Sequence, residues 1–303
     1  MIYENALELI GKTPIVRLKN LEEKGMAQLY IKLEGKNPGG SIKDRAALGM
    51  IEEAERKGIL KKGSVIIEPT SGNTGIAMAF IGRLKGYRVM IVMPDTMSVE
   101  RRSILKAYGA EIVLTEGILG MKGAIERAEE LSAEIEGSFV PQQFINSANP
   151  GKHYETTALE ILEDLPDLDA FVAGIGTGGT ISGVGRKLKE ETEEIKIYAV
   201  EPAGSPVLSG GKPGKHSIQG IGAGFIPEIV KMDLIDGVIK VEDSEAFQGA
   251  RDTAEREGLF LGISSGANIT AAIKVARELG AGKKVLTISP DGGEKYLSTD
   301  LYK

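Results

Sequence analysis

Short runs of β-branched and aliphatic residues alternate along this chain with longer stretches in which apolar positions recur every three or four residues. The short runs predict strands over 29–33, 65–68, 88–93, 111–114 and 139–140, and again over 170–173, 196–200, 237–241 and 285–288. The periodic stretches predict helices over 98–108, 121–135, 153–164, 179–190, 244–257 and 267–279. Alternation of this kind gives mainly parallel, twisted sheets flanked by helices, so the fold class is α/β. In such folds ligands bind at the carboxyl ends of the strands.

The segment PQQFINSANPGKH, residues 141–153, has two prolines, many polar residues and no periodicity. It predicts a boundary between an N-terminal α/β domain, 1–145, and a C-terminal α/β domain, 146–303. The irregular, Gly- and Ser-rich region 202–227 is too long for an ordinary connection, and loops of that size are often functional.

Composition removes several classes of function. The 303 residues are 42% apolar and 26% charged, as in a soluble globular protein. The net charge is −6 and the Lys and Arg residues are dispersed, which argues against nucleic acid or an anionic membrane as the main partner. No apolar run approaches a spanning length, and MIYENALELI lacks the basic and apolar regions of a signal peptide, so a cytoplasmic location is expected. The absence of Cys excludes disulfides, thiolate catalysis and iron–sulfur clusters, and His153 and His216 alone argue against a zinc site or a His-based triad. No metal is expected.

The forty glycines cluster in short loops at predicted strand ends. VIIEPTSGNTGIAMAF carries a strand into Thr70-Ser71-Gly72-Asn73-Thr74-Gly75, where backbone N–H groups, hydroxyls and an amide suit a carboxylate or phosphate, although a capped tight turn accounts for the same residues. AFVAGIGTGGTISGVG is more specific. Gly174, Gly176, Gly178 and Gly179 bring the backbone close to a ligand while Thr177 and Thr180 add hydroxyls, and phosphate is the natural guest. In LGISSGANITAAI, Ser264 and Ser265 read first as helix caps.

One residue in NPGGSIKDR resists explanation by packing. Ser41 reads as an N-cap with Asp44 as its capping-box partner, which puts Lys43 in the first helical turn, where the dipole disfavours a cation. At helical spacing from Lys43 lie Ala47, Met50 and Ile51, so the lysine continues the apolar stripe. Apolar surroundings and a positive helix end both lower an amine's pKa, making Lys43 a candidate nucleophile for a Schiff base. Pyridoxal 5′-phosphate offers an aldehyde to the lysine and a phosphate to the glycine loop. A nicotinamide oxidoreductase competes, because Gly174, Gly176 and Gly179 also satisfy G-x-G-x-x-G and Glu201 stands where a ribose-binding acid is expected. That reading leaves Lys43 without a task.

The chain resembles the cysteine synthases (O-acetylserine sulfhydrylases) of the tryptophan synthase β-like group, the fold type II pyridoxal phosphate enzymes. NPGGSIKDR, PTSGNTGIA, MPDTMSVERR, GTGGTISGVGR, IQGIGAGFIPE and GISSGAN look like that family's blocks, in the same order, over nearly the whole chain. The resemblance implies two α/β domains with the cofactor in the cleft between them, and residues ~10–35 crossing to the other domain's sheet. By the same resemblance Lys43 carries the cofactor and acts as general base, Asn73 binds the ring hydroxyl, and Gly176, Thr177, Gly178, Gly179 and Thr180 hold the phosphate. Ser264 would face the pyridine nitrogen, and Thr70, Ser71, Thr74 and Gln143 would clamp the substrate carboxylate.

The implied reaction is a β-replacement that converts O-acetyl-L-serine and sulfide to L-cysteine and acetate. O-phosphoserine sulfhydrylase and cystathionine β-synthase are the near alternatives; the loop from Gly220 to Phe225 offers no cation for a phosphate leaving group, which favours the acetyl ester. The family also suggests a homodimer and docking of the C-terminal tail of serine acetyltransferase. The chain departs from the family pattern at Ala158-Leu159, where Gly-Pro is more usual, on a predicted helix away from the cofactor.

Overall fold

The computed structural model describes residues 2–97 and 99–303, apart from the side chains of Val99 and Glu100. The strands are β1 (Ile15–Arg17), β2 (Gln28–Leu33), β3 (Val65–Pro69), β4 (Arg88–Pro94), β5 (Glu111–Thr115), β6 (Ser138–Phe139), β7 (Ala170–Gly174), β8 (Lys196–Pro202), β9 (Gly237–Val241) and β10 (Lys284–Ser289). The α-helices are α1 (Lys43–Arg56), α2 (Asn73–Leu84), α3 (Val99–Ala107), α4 (Gly120–Glu134), α5 (Ala148–Lys152), α6 (Ala158–Asp164), α7 (Gly179–Glu191), α8 (Asp243–Glu257) and α9 (Ile263–Leu279). Ser98, where the sequence pattern starts a helix, lies outside the described residues, and α3 is seen from Val99.

Contacts divide the chain into two compact units. The first holds the residues up to Ile10 together with Lys43–Asn149, and the second holds Gly11–Ile42 together with Pro150–Lys303. In the first unit four parallel strands run in the order β5-β4-β3-β6. Successive residues of a strand face opposite sides. Ile66, Ile91 and Met93 accordingly pack with α1 and α2 on one face, while Val65, Ile67, Met90 and Val92 pack with Ala124, Ala128 and Leu131 of α4 on the other. Both faces being covered, these strands read as unbroken apolar runs.

In the second unit six strands run β1-β2-β10-β7-β8-β9, all parallel except the antiparallel β1–β2 pair. Leu29, Ile31, Val172 and Val285 pack toward α9, and Phe171, Ile197, Leu286 and Ile288 toward α6 and α7. Each unit thus has the α/β architecture that the alternation predicts.

Local differences have physical reasons. The pattern gives no strand at β1, whose three residues are too few to show a period. The stretch 148–152 is helical rather than irregular, because Pro150 falls in the first turn of α5, where an N–H would have no partner in any case. A π-turn over His153–Thr157 then leads into α6, where a continuous helix from His153 is predicted.

Candidate active site

In the first unit, α1 opens at Lys43. Lys43 is its first helical residue, and Ser41 before it pairs with Asp291 in an isolated antiparallel bridge. Ala47, Met50 and Ile51 below it are fully buried, so the lysine does stand over an apolar stripe. The surroundings are more polar than that stripe suggests, since Asp44 and Arg45 of the same turn are buried too.

Thr70 and Ser71 follow the carboxyl end of β3, and Asn73 and Thr74 open α2. The Thr70 N–H donates to Val92 O at 3.0 Å, which anchors the loop to β4, and the Gly72 N–H donates to Thr70 Oγ1 at 3.3 Å. Arg101 of α3 donates to the Ser71 carbonyl at 2.9 Å. Gly75 lets the helix turn close on the loop: a Cβ there would lie 2.9 Å from Thr70 Cγ2.

Gln143, from the segment after β6, joins this group. Thr74 Oγ1 donates to Gln143 Oε1 at 2.8 Å, and Gln143 Nε2 donates to Glu68 Oε1 at 2.9 Å. Asn149 Nδ2 holds the Gln143 main chain by a 2.9 Å bond to its carbonyl. Gln142 beside it has φ 55°, a left-handed conformation uncommon for a residue with a side chain. Glu68 is 2% exposed, and burial pushes its carboxyl up to about 8 although the Gln143 hydrogen bond pulls the other way. Sequence reasoning missed Glu68; the signal was an acid ending an otherwise apolar strand.

In the second unit, the predicted phosphate loop joins β7 to α7. Gly178 is the N-cap of α7 with φ 85°, and a Cβ on it would lie 2.1 Å from Val230 Cγ2. A Cβ on Gly176 would lie 2.3 Å from Gly220 O. The first amides of α7 have no intrahelical acceptor, so a backbone that admits no side chain leads into N–H groups of the kind that bind phosphate. Thr177 Oγ1 accepts from the Gly179 N–H at 3.4 Å, and Thr180 Oγ1 lies 3.3 Å from His153 Nε2. His153 is buried, with Nδ1 2.8 Å from Thr157 Oγ1, so it backs the loop through Thr180, a link sequence reasoning did not draw.

Ser264 lies beside this loop's neighbour, its Oγ 3.6 Å from where a Cβ on Gly220 would stand. Neither serine caps α9: the N-cap is Gly262, and Ser264 and Ser265 sit within the first turn. The Ser265 hydroxyl is spent on Ser289 Oγ at 3.0 Å. The loop that brings Gly220 here belongs to the long 202–227 region, pinned where the Gly222 N–H donates to Ile175 O at 2.9 Å.

Glu201 removes the nicotinamide alternative. Its carboxylate accepts from the N–H groups of Leu208 and Ser209 at 2.7 and 3.1 Å and from the Ser209 hydroxyl at 2.5 Å. The acid that a ribose would need is committed to the loop. No group of potential metal ligands occurs among the described residues.

The chain belongs to the family described as pyridoxal-phosphate dependent enzymes, whose model matches residues 6–291. Within it, the chain is 55% identical over 301 residues to a cysteine synthase of Staphylococcus aureus, covering 99% of this chain and 97% of the relative. It is 53% identical over 305 residues to a probable cysteine synthase of Bacillus subtilis, covering 99% and 98%. The crystal structure of cysteine synthase from Entamoeba histolytica superposes with a TM-score of 0.96 at 47% identity, over 100% of this chain and 91% of that one.

Proposed function

We propose that the chain makes L-cysteine and acetate from O-acetyl-L-serine and sulfide, as a pyridoxal-phosphate-dependent β-replacement enzyme. The observation that carries this reading is the cradle after β7, where Gly176 and Gly178 leave no room for a side-chain atom. Its residues fit a phosphate ester, and Ser264 offers a neutral hydroxyl to a pyridine nitrogen. When bound, the cofactor supplies an electron sink that acidifies the substrate's α-carbon and lets the β-substituent depart.

The chain's own residues do the rest. Lys43 would hold the cofactor through its amine, and as a free amine its Nζ would take the substrate's α-proton as acetate leaves. Thr70, Ser71, Thr74 and Gln143 bind the substrate carboxylate, Asn73 the cofactor's ring hydroxyl, and Gly176, Thr177, Gly178, Gly179 and Thr180 its phosphate. The same reading carries a cytoplasmic homodimer that docks a serine acetyltransferase tail. Among the described residues, no helix is long and apolar enough to cross a membrane.

Purified protein loaded with pyridoxal phosphate tests the proposal. O-Acetyl-L-serine and sulfide should yield cysteine, with O-phosphoserine, and homocysteine in place of sulfide, turned over at least tenfold more slowly (~1.4 kcal/mol of discrimination). Faster turnover of either alternative would reassign the substrate.

A further inference from the structure

A side-chain amide has two ends of nearly equal shape, so only hydrogen bonds decide which end faces a ligand. In this chain the decision falls to Glu68. Its Oε1 accepts one N–H of Gln143, which leaves Gln143 Oε1 to accept from Thr74 and leaves the second N–H of the amide uncommitted by either bond. All three side chains are buried, at 2%, 8% and 4% exposure for Glu68, Gln143 and Thr74.

We propose that Glu68 is the positioning residue of the substrate-carboxylate clamp: by holding Gln143 it presents the remaining amide N–H and the Thr74 hydroxyl to the amino acid. This rests on the reading that Thr74 and Gln143 bind that carboxylate. Glu68 itself touches no substrate.

Its protonation is part of the device. Glu68 Oε2 is buried without a hydrogen-bond partner, which a neutral acid tolerates far better than a carboxylate. Consistent with this, burial pushes the group up to about 8. No ion pair reaches Glu68 among the described residues, and the cations of α4, which packs on β3, are engaged elsewhere: Lys122 pairs with Glu126, and Arg127 with Glu130 and Glu134. In β4 the only ionisable residue, Arg88, is opposite Val65; β6 has none; in α2 the only one is Arg83, in its last turn. From α4, Glu129 lines the same cavity of about 650 Å³ as Glu68. Above about pH 8 Glu68 becomes an anion one residue removed from an anionic substrate, and the clamp weakens.

The test compares wild type, Glu68→Gln and Glu68→Leu as full-length holoenzymes, with kcat and KM for O-acetyl-L-serine followed from neutral to alkaline pH. Glu68→Leu should raise KM about tenfold while kcat changes much less, because one hydrogen bond to a charged ligand is lost. Glu68→Gln should keep the neutral-pH KM and lose the rise in KM that wild type shows as Glu68 ionises. Independently, ¹³C NMR of glutamate side-chain carboxyls in the cofactor-free chain should show a resonance titrating near pH 8 in wild type that Glu68→Gln lacks. An unchanged KM in Glu68→Leu, or the same alkaline rise in Glu68→Gln as in wild type, overturns the proposal. If Glu68→Leu does not fold, the Glu68→Gln profile and the NMR titration decide. A wild-type enzyme that does not act on O-acetyl-L-serine refutes the functional reading instead.

Discussion

The loop after β3 and the loop after β7 both stand at the carboxyl end of a parallel strand, and both lead into a helix, yet they are made of opposite materials. The second unit's loop is backbone: Gly176 and Gly178 pack so closely against Gly220 O and Val230 that a Cβ would fall 2.3 and 2.1 Å from them. The first unit's loop is side chains, with Thr74, Gln143 and Glu68 joined by bonds of 2.8 and 2.9 Å. A backbone cradle cannot ionise and does not depend on which residue supplies its donors, but it tolerates no added atom. A side-chain relay can be tuned one residue at a time, and it can titrate. The first arrangement suits a resident cofactor that must stay; the second suits a substrate that comes and goes.

Substitutions can break this contrast, and the largest effect falls on the residue the two functions share. Lys43→Ala should lower cysteine formation by at least ~10³-fold, since both attachment and proton transfer are lost; steady-state assay of cysteine checks it. Next, Gly178→Ala adds a Cβ at φ 85° in a closed space, and overpacking with left-handed strain should weaken cofactor binding about ten- to a hundredfold. Titration of the cofactor-free variant with pyridoxal phosphate measures it. A Gly178→Ala enzyme that retains cofactor and loses only substrate affinity would dissolve the division of labour.

Thr74→Val should do the reverse, raising KM for O-acetyl-L-serine about tenfold at unchanged cofactor affinity. Ser264→Ala removes one neutral hydrogen bond, so cofactor affinity should fall only about threefold. Smallest on cofactor binding is Glu68→Gln, with no change at all, but it sharpens the contrast through stability. The folded chain holds a proton on Glu68 from about 4.5, its ordinary value, to about 8, whereas the unfolded chain does not. Wild-type stability therefore has a contribution that is lost as pH rises through that window. Thermal melts of Glu68→Gln should show a weaker decline with pH across it.

What the sequence made legible follows from range. Strand interiors such as 65–68 and 170–173 and the glycine loops after them are local patterns, and they appear where periodicity and turn chemistry put them. The short β1 was illegible because it is made by pairing with β2 rather than by its own three residues. Ser264 and Ser265 read as caps because serine before a helical pattern usually is one; the helix starts earlier, at Ile263, and draws both into its first turn. Glu68 and His153 escaped for a different reason. Their roles depend on Gln143, 75 positions from Glu68, and on Thr180, 27 positions from His153, separations that no local pattern records.

The amine at the start of α1 is the group on which every proposed role depends. Reduction of the holoenzyme with borohydride, followed by digestion and mass spectrometry, should place a pyridoxyl group on the peptide containing Lys43 and on no other. A pyridoxyl group on a different lysine, or a chain that binds the cofactor without any covalent attachment, would contradict it.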